Sequence, residues 1–557
     1  MRQQRGRGAG ATFAAGGVYL AVSFAYFGVP VLHHFRRDLV GGGSDPQLFV
    51  WSLGWWPHAV LHGQNPFVTH LLWAPHGSNL AWATSVPGLA ALLAPVTLTA
   101  GPVAAYNAAA ILMPAIAATT AFMLCRHVTR SLWPSLAGGY LFGFSSYVLG
   151  HELAHLHATS VFLVPLAALF VLRFLEEEIG AGGLVVRLGL LLAVQLTFGT
   201  EVFFTLSLCL AGGLVLGFLV VPARRRRLGR ALLPIAGAYG VCAVIVSPLL
   251  YYAATGYQGV ITPTTHNPAD LVTFGFPTGL TAIGGSLAQH FVPSLPPVSA
   301  ENGQYLGPPT LAIVVLFAIS RLRRPGSRFL VLALLLAGLA TLGSELRVRD
   351  HALSPLPWRL VRALPFFDNV IPARFALYVS LVACLIVAIW AASPTASRAL
   401  RILLTVLAVA AIVPSVWKGI WHEHPQRPVF FTAKLDRLCL LPGENVLVLP
   451  PPFRNQALLW QAESGYRFGL VDGALNDAVP HGMTGRTVML QLIDNNVPPR
   501  GARGVIAAAL SHDAGAILVP PGGEQWTSLL DPVLKGREIG GLTLYSLAPA
   551  PPSCRQA

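Results

Sequence analysis

Charge is what this sequence has least of. Asp, Glu, Lys and Arg together make up 11% of its 557 residues, against about 25% in an ordinary soluble domain. So few ionic groups cannot keep most of the chain in water, which excludes a soluble globular fold for the greater part of it. Cysteine is scarce too: six residues are too few for a disulfide scaffold, and no two sit at zinc-ligand spacing. Acidic residues are outnumbered, 23 to 37, leaving a net charge of +14. The arginines that cause this are not gathered on one soluble face. They recur as short clusters between apolar runs, as at Arg224–Arg227 and at Arg321, Arg323, Arg324 and Arg328. That distribution marks membrane sidedness and argues against nucleic acid as a partner.

What is present is hydrophobic: 54% of residues, with a mean hydropathy of +0.61. Apolar runs fall at 12–33, 104–125, 132–150, 156–175, 183–200, 201–221, 231–253, 306–321, 328–343, 373–392 and 400–417. They predict an all-α polytopic membrane bundle of about eleven spanning helices, since a bilayer needs roughly 20 apolar residues per crossing. The Arg-rich start, Met1 to Thr12, leads into a run too long for a signal-peptide core, so it reads as an uncleaved first helix. With the N-terminus in the cytoplasm, Arg126 with Arg130, Arg173 to Arg187, Arg224–Arg230, Arg321–Arg328 and Arg398–Arg401 all fall inside, as positive-inside loops require. The run at 84–100 breaks this alternation if it crosses. It is short and holds Pro87 and Pro95, and reads as re-entrant or interfacial.

The same topology puts three long connections, 34–83, 254–305 and 344–372, on the outer side of a membrane domain spanning 1–417. From 418 to 557 the character changes. Short β-like runs (Asn445–Leu449, Ala516–Val519, Leu542–Leu547) alternate with Pro/Gly turns and helix-compatible stretches, which predicts a small extracytoplasmic α/β domain. Cys439 and Cys554 bracket it and are placed to pair if it lies outside. Cys125, Cys209, Cys242 and Cys384 read as small residues of the bundle.

Several residues stand out chemically. Asp45 follows Gly41-Gly-Gly-Ser44 and opens a stretch rich in tryptophan, Leu48 to Trp56, which fits a helix along the outer leaflet. Asp45 before Pro46 suits a helix N-cap as well as a functional carboxylate. Glu201 sits at an outer turn between two runs, where it is either a solvated turn or a site residue. Glu176-Glu-Glu178 falls on the cytoplasmic side as a solvated helix end. His151-Glu-Leu-Ala-His155 matches the zinc-protease pattern, which needs both histidines on one helical face with the glutamate as base. His151, Glu152 and His155 are therefore candidate metal ligands, with His157 close by. The match lies at a connection after Gly150 and lacks a third ligand on a helix, Asp270 being in a long loop. Asp472, Asp477 and His481 are scattered in the tail and read as loop residues.

The stretch Ser44 to Trp55, with His62-Gly-Gln-Asn-Pro-Phe67 and Trp73-Ala-Pro-His-Gly77, resembles the first outer loop of bacterial GT-C-type membrane glycosyltransferases. Further similar segments are Gly101-Pro-Val-Ala-Ala-Tyr-Asn107, Glu301-Asn-Gly-Gln-Tyr-Leu-Gly307 and Leu364 to Phe375. The similarity runs through most of the membrane part, with loose individual motifs, and points to an actinobacterial-like branch. It implies transfer of a hexose or pentose from a polyprenyl-phosphate donor to a cell-envelope glycan or lipid acceptor, on the outer face of a bacterial cytoplasmic membrane. It also implies that an acidic residue of the first outer loop is the base, which here is Asp45. A positioned carboxylate can take the proton of an acceptor hydroxyl, and arginine suits the departing lipid phosphate. Arg374, Arg359 and Arg362 are the candidates, with His58, His62 and Glu201 as further substrate-binding residues. The first loop has no paired Asp-Glu or Asp-x-Asp, a departure from better-known families. No cofactor is therefore assigned, and a divalent metal ion stays open. The alternatives are a non-catalytic transporter or presenting protein for lipid-linked glycans and, last, an intramembrane metalloprotease.

Overall fold

The computed structural model describes residues 2–256, 269–296, 298–364, 367–451, 455–473, 479–480, 482–549 and 551–555. Asp477 and His481 lie outside the described residues. The chain divides into two compact units. The first comprises Met1–His33, Ala108–Val246 and Pro263–His422, the second His34–Asn107, Ser247–Thr262 and Glu423–Ala557.

In chain order the helices that matter below are α1 (Ala9–His34), α2 (Pro46–Leu61), α3 (Pro87–Ala100), α4 (Pro102–Thr129), α5 (Leu132–Gly143), α6 (Ser146–Glu152), α7 (Leu156–Leu175), α8 (Ala181–Phe198), α9 (Thr200–Val220) and α10 (Pro222–Ile245). They are followed by α11 (Pro308–Arg321), α12 (Pro325–Leu342), α13 (Pro372–Ala392) and α14 (Arg398–Ala411). Eight helices among the described residues, α1, α4, α7 to α10, α12 and α13, are long and apolar enough to cross a membrane. This is a multi-pass membrane protein. The count is lower than the sequence runs predict. The runs 132–150, 306–321 and 400–417 fold as shorter helices, α5, α11 and α14, of 12, 14 and 14 residues. At 1.5 Å per residue such helices reach only about 18–21 Å, short of a hydrocarbon core of about 30 Å. Proline-bearing α3 is likewise only 14 residues long.

In the first unit α8 packs along α10, and α13 against α5, α11 and α12. A few polar bonds tie the apolar helices together. The Tyr19 hydroxyl donates to the Leu136 carbonyl at 2.7 Å, and Ser23 donates to the Ile111 carbonyl at 2.6 Å. Such groups have no water to bond within lipid, so each needs a protein partner. Side chains turned outward are apolar, with Leu233 of α10 82% exposed and Ile319 of α11 79%. Exposed apolar side chains on helices of this kind suit contact with lipid. At the other end of these helices Glu176, Glu177 and Glu178 are not merely solvated. Glu176 meets His127 at 2.7 Å and Arg224 at 3.6 Å, and Glu177 meets Arg227 at 3.2 Å.

The second unit contains a five-stranded sheet. Its strands are β1 (Asn445–Val448), β2 (Gly469–Leu470), β3 (Ala514–Val519), β4 (Arg537–Ile539) and β5 (Leu542–Ser546), in the order β4-β5-β3-β1-β2. β1 runs parallel to β2 and β3, while β5 is antiparallel to β3 and β4. Alternate residues point to opposite faces of a strand. Val446, Val448 and Leu518 therefore join one buried cluster, and Leu447, Leu449, Ile517 and Val519 another. Both faces are covered, which is why these strands read as continuous apolar runs. Cys439 and Cys554 form a disulfide across 115 residues of sequence.

Helix α2 departs from the expected lipid-surface position. Trp51 and Trp55 are buried with Val446, Val448 and Leu470 on the sheet. They stack on each other at 5.4 Å and meet Tyr466 edge-on at 5.6 Å. Their indole N–H groups find acceptors inside the protein: Trp51 donates to Gln461 at 2.5 Å and Trp55 to the Pro66 carbonyl at 3.0 Å. A buried tryptophan is stable where its single donor is satisfied, and here the sheet domain supplies what the membrane interface was expected to supply.

Candidate functional site

In the first unit the helix ends bring five polar side chains together. Arg374 lies in the turn that opens α13, and Glu201 in the first turn of α9. Glu301 comes from the loop before α11, and His151 from the last turn of α6. Arg374 donates through Nη2 and Nε to Glu301 Oε1 at 2.8 and 3.1 Å, and through Nη1 to Glu201. All three side chains are largely buried, at 11%, 22% and 16% exposure for Arg374, Glu201 and Glu301. His151 Nδ1 stands 3.1 Å from His155 Nδ1. The loop carrying Glu301 approaches closely: a Cβ at Gly150 would fall 2.5 Å from the Ala300 carbonyl oxygen. No residue but glycine fits there, so Gly150 lets the loop reach the histidines.

Two carboxylates against one guanidinium leave a net negative charge. Glu201 Oε1 and Glu301 Oε2 are buried and have no hydrogen-bond partner among the described residues, although such atoms are normally satisfied. Ligand atoms of His151, His155 and Glu301 all lie within 4.8 Å of one another, a nitrogen and oxygen donor set that suits a divalent transition metal. Burial, then the charge of Arg374, holds His151 well below its ordinary 6.5, which keeps the imidazole neutral and its nitrogens available. The spare lone pairs, the surplus negative charge and the donor set all fit a cation. A second group, His127 with Glu176 and Glu178, fits one less well, because arginines already neutralise its carboxylates.

The structure places Glu152 outside this group, with Glu301 as the carboxylate beside the two histidines. Helix α6 ends at Glu152, and His155 has φ −109° and ψ 72°, so the five residues do not share one helix. Glu152 is buried with neither oxygen partnered among the described residues, and burial pushes it well above the usual carboxylate range. Arg359 and Arg362 are exposed, and among the described residues neither bonds to the Arg374 cluster. Sequence reasoning singled out Arg374 and Glu201 but gave Glu301 no role. Its only signal was its place in the Glu301–Gly307 segment, and a lone carboxylate in a long loop has no periodicity to betray it.

Asp45 belongs to the second unit. It occupies the N-cap position of α2, with Pro46 as the first helical residue, yet its carboxylate bonds to none of the helix N–H groups. The Ser44 hydroxyl donates to Oδ1 at 3.0 Å. His58 and His62 stack on each other at 4.1 Å at the far end of α2, about 20 Å along the axis from Asp45 at 1.5 Å per residue. The histidines and the carboxylate therefore do not form one site. Burial, followed by the neighbouring His62, lowers the pKa of His58.

Comparison with solved structures finds the GT-C fold. The apo oligosaccharyltransferase of Archaeoglobus fulgidus is 12% identical, with 96% of this chain and 74% of that chain covered and a TM-score of 0.55. The same organism's oligosaccharyltransferase AglB, in complex with an inhibitory peptide and a dolichol-phosphate, is 11% identical, covers 96% and 74%, and gives 0.50. The mycobacterial arabinofuranosyltransferase AftD is 13% identical and gives 0.55, with 97% of this chain but 40% of that chain covered. No curated protein matches. One family model matches over residues 16–413, and by that match the chain belongs to DUF6311, a domain of unknown function.

Proposed function

We propose that the protein is a membrane glycosyltransferase that moves a sugar from a polyprenyl-phosphate donor to a cell-envelope acceptor on the outer face of a bacterial cytoplasmic membrane. The observation that carries this reading is the buried Arg374–Glu201–Glu301 cluster beside His151 and His155, in a GT-C fold. In the archaeal neighbour a dolichol-phosphate is bound, which supports a lipid-phosphate donor here. Three of the five N–H groups of Arg374 are taken by the two glutamates, and the remaining two can donate to a phosphate oxygen. Asp45 accepts the proton of the acceptor hydroxyl as the glycosidic bond forms. The disulfide suits an oxidising compartment, which supports residues 418–557 lying outside the cytoplasm. The bias to arginine over lysine supports an actinobacterial-like source.

The test is sugar release from pentosyl- and hexosyl-polyprenyl phosphates by the protein in liposomes. Turnover of either donor is expected. Tight binding of the lipid without turnover would instead favour a carrier or presenting protein.

His151, His155 and Glu301 would hold a divalent ion, which when bound supplies positive charge against the leaving phosphate. Purified protein is expected to carry about one equivalent of a divalent transition metal by elemental analysis, lost in His151→Ala and in Glu301→Gln. Since burial holds His151 below its ordinary 6.5, His151 itself should not take up a proton and leave the metal as pH falls through 6.5. Equal metal content in wild type and both variants would remove this site.

A further inference from the structure

The geometry points to Glu423 as the residue that positions Asp45, an inference that rests on Asp45 being the base. Three glycines precede Ser44 and Asp45. Gly41 and Gly43 have φ of +76° and +93°, a left-handed backbone that residues with a Cβ rarely adopt. A Cβ on Gly42 would sit 3.2 Å from Glu423 Oε2. That oxygen accepts the Gly43 backbone N–H at 2.7 Å, and Oε1 accepts Gln456 Nε2 at 3.0 Å. One carboxylate thus joins the turn before Asp45 to the segment that follows β1.

Neighbouring bonds hold the same stretch from both sides. His424 Nδ1 meets Asp38 at 2.8 Å. On the helix side, Gln47 Nε2 donates to the Asn455 carbonyl at 2.7 Å in a buried setting. Asn455 is itself fixed, donating to the Pro450 carbonyl and accepting the Ala457 N–H. The chain is therefore gripped two residues before Asp45 and two after it, and both grips come from residues beyond 422. A base must be held within about 0.5 Å of its working position, and a hydrogen bond to a charged acceptor is among the stronger ways to hold a backbone. Glu423 is a positioning residue. Through it the C-terminal segment takes part in setting the base.

The test compares Glu423→Ala and Glu423→Gln with Asp45→Asn in the full-length protein in liposomes. Glu423→Ala should lower kcat about 10- to 100-fold while leaving the donor KM within about twofold. Glu423→Gln, which keeps an oxygen for the Gly43 N–H, should recover about a third of wild-type kcat or more. Gly42→Ala, which presses on the carboxylate without removing it, should also lower kcat. Hydrogen exchange at residues 41–46 should rise in Glu423→Ala. Wild-type kcat in Glu423→Ala alongside an inactive Asp45→Asn would overturn the inference. An active Asp45→Asn would instead remove the base assignment, and unchanged exchange in Glu423→Ala would then remove the clasp separately.

Discussion

Asp45→Asn is expected to reduce sugar transfer from a polyprenyl-phosphate donor by about 10²- to 10⁴-fold, the range that general base catalysis supplies. Asparagine keeps the shape of the side chain and loses only its basicity. The N-terminal cap of α2 should not change, because the carboxylate bonds to none of its N–H groups, and the Ser44 hydroxyl can still donate to the amide oxygen. Donor affinity should also hold, since a base for the acceptor hydroxyl has no bond to make with the lipid phosphate. The measurement is single-turnover transfer together with donor binding by the same preparation. Transfer within about threefold of wild type would take Asp45 out of the chemistry.

The second large effect is on stability as well as on activity. Arg374→Ala should destabilise the first unit by about 3–5 kcal/mol, because it leaves Glu201 and Glu301 buried without their counter-charge. It should also end transfer by removing the phosphate donors. Arg374→Lys should not rescue either property fully. One ammonium on a flexible stem cannot reproduce the fork that reaches Glu301 through two nitrogens and Glu201 through a third. The two effects separate in the double variant. Arg374→Ala with Glu301→Gln should recover about 0.5–3 kcal/mol of the loss, since one unpaired charge is gone, while transfer stays absent. Thermal unfolding in detergent reads the first effect and turnover the second. A double variant no more stable than Arg374→Ala alone would show that the charge cluster is not what holds these helix ends.

Other residues show how far local sequence carries. Asp45, Glu201 and Arg374 could each be singled out because an ionic group at the edge of an apolar run is conspicuous where charge is so rare. Glu301 could not, since its partners lie on other segments and no spacing links it to position 151 or 374. The His151–His155 pattern misleads in the opposite direction. Its spacing fits a helix, but the helix stops at Glu152, so the two imidazoles meet across a turn while the intervening carboxyl is buried elsewhere. By local sequence the tryptophans of α2 suit the membrane interface, because an indole prefers a half-wet setting. Gln461 and the sheet provide that setting inside the protein.

The sequence by itself determined the solvent, the helical bundle, the recurrence of arginine between spans and the strands of the tail. These depend on composition and on short-range periodicity, which every window of the chain carries. Tertiary structure alone decided that Glu301 rather than Glu152 stands by the two histidines, that Arg374 is shared by two carboxylates, and that Glu423 and Asn455 grip the turn around Asp45. Each of those facts is a contact between residues far apart in the chain. Charge and hydrogen bonding act through distance in space, and spacing along the sequence does not encode it.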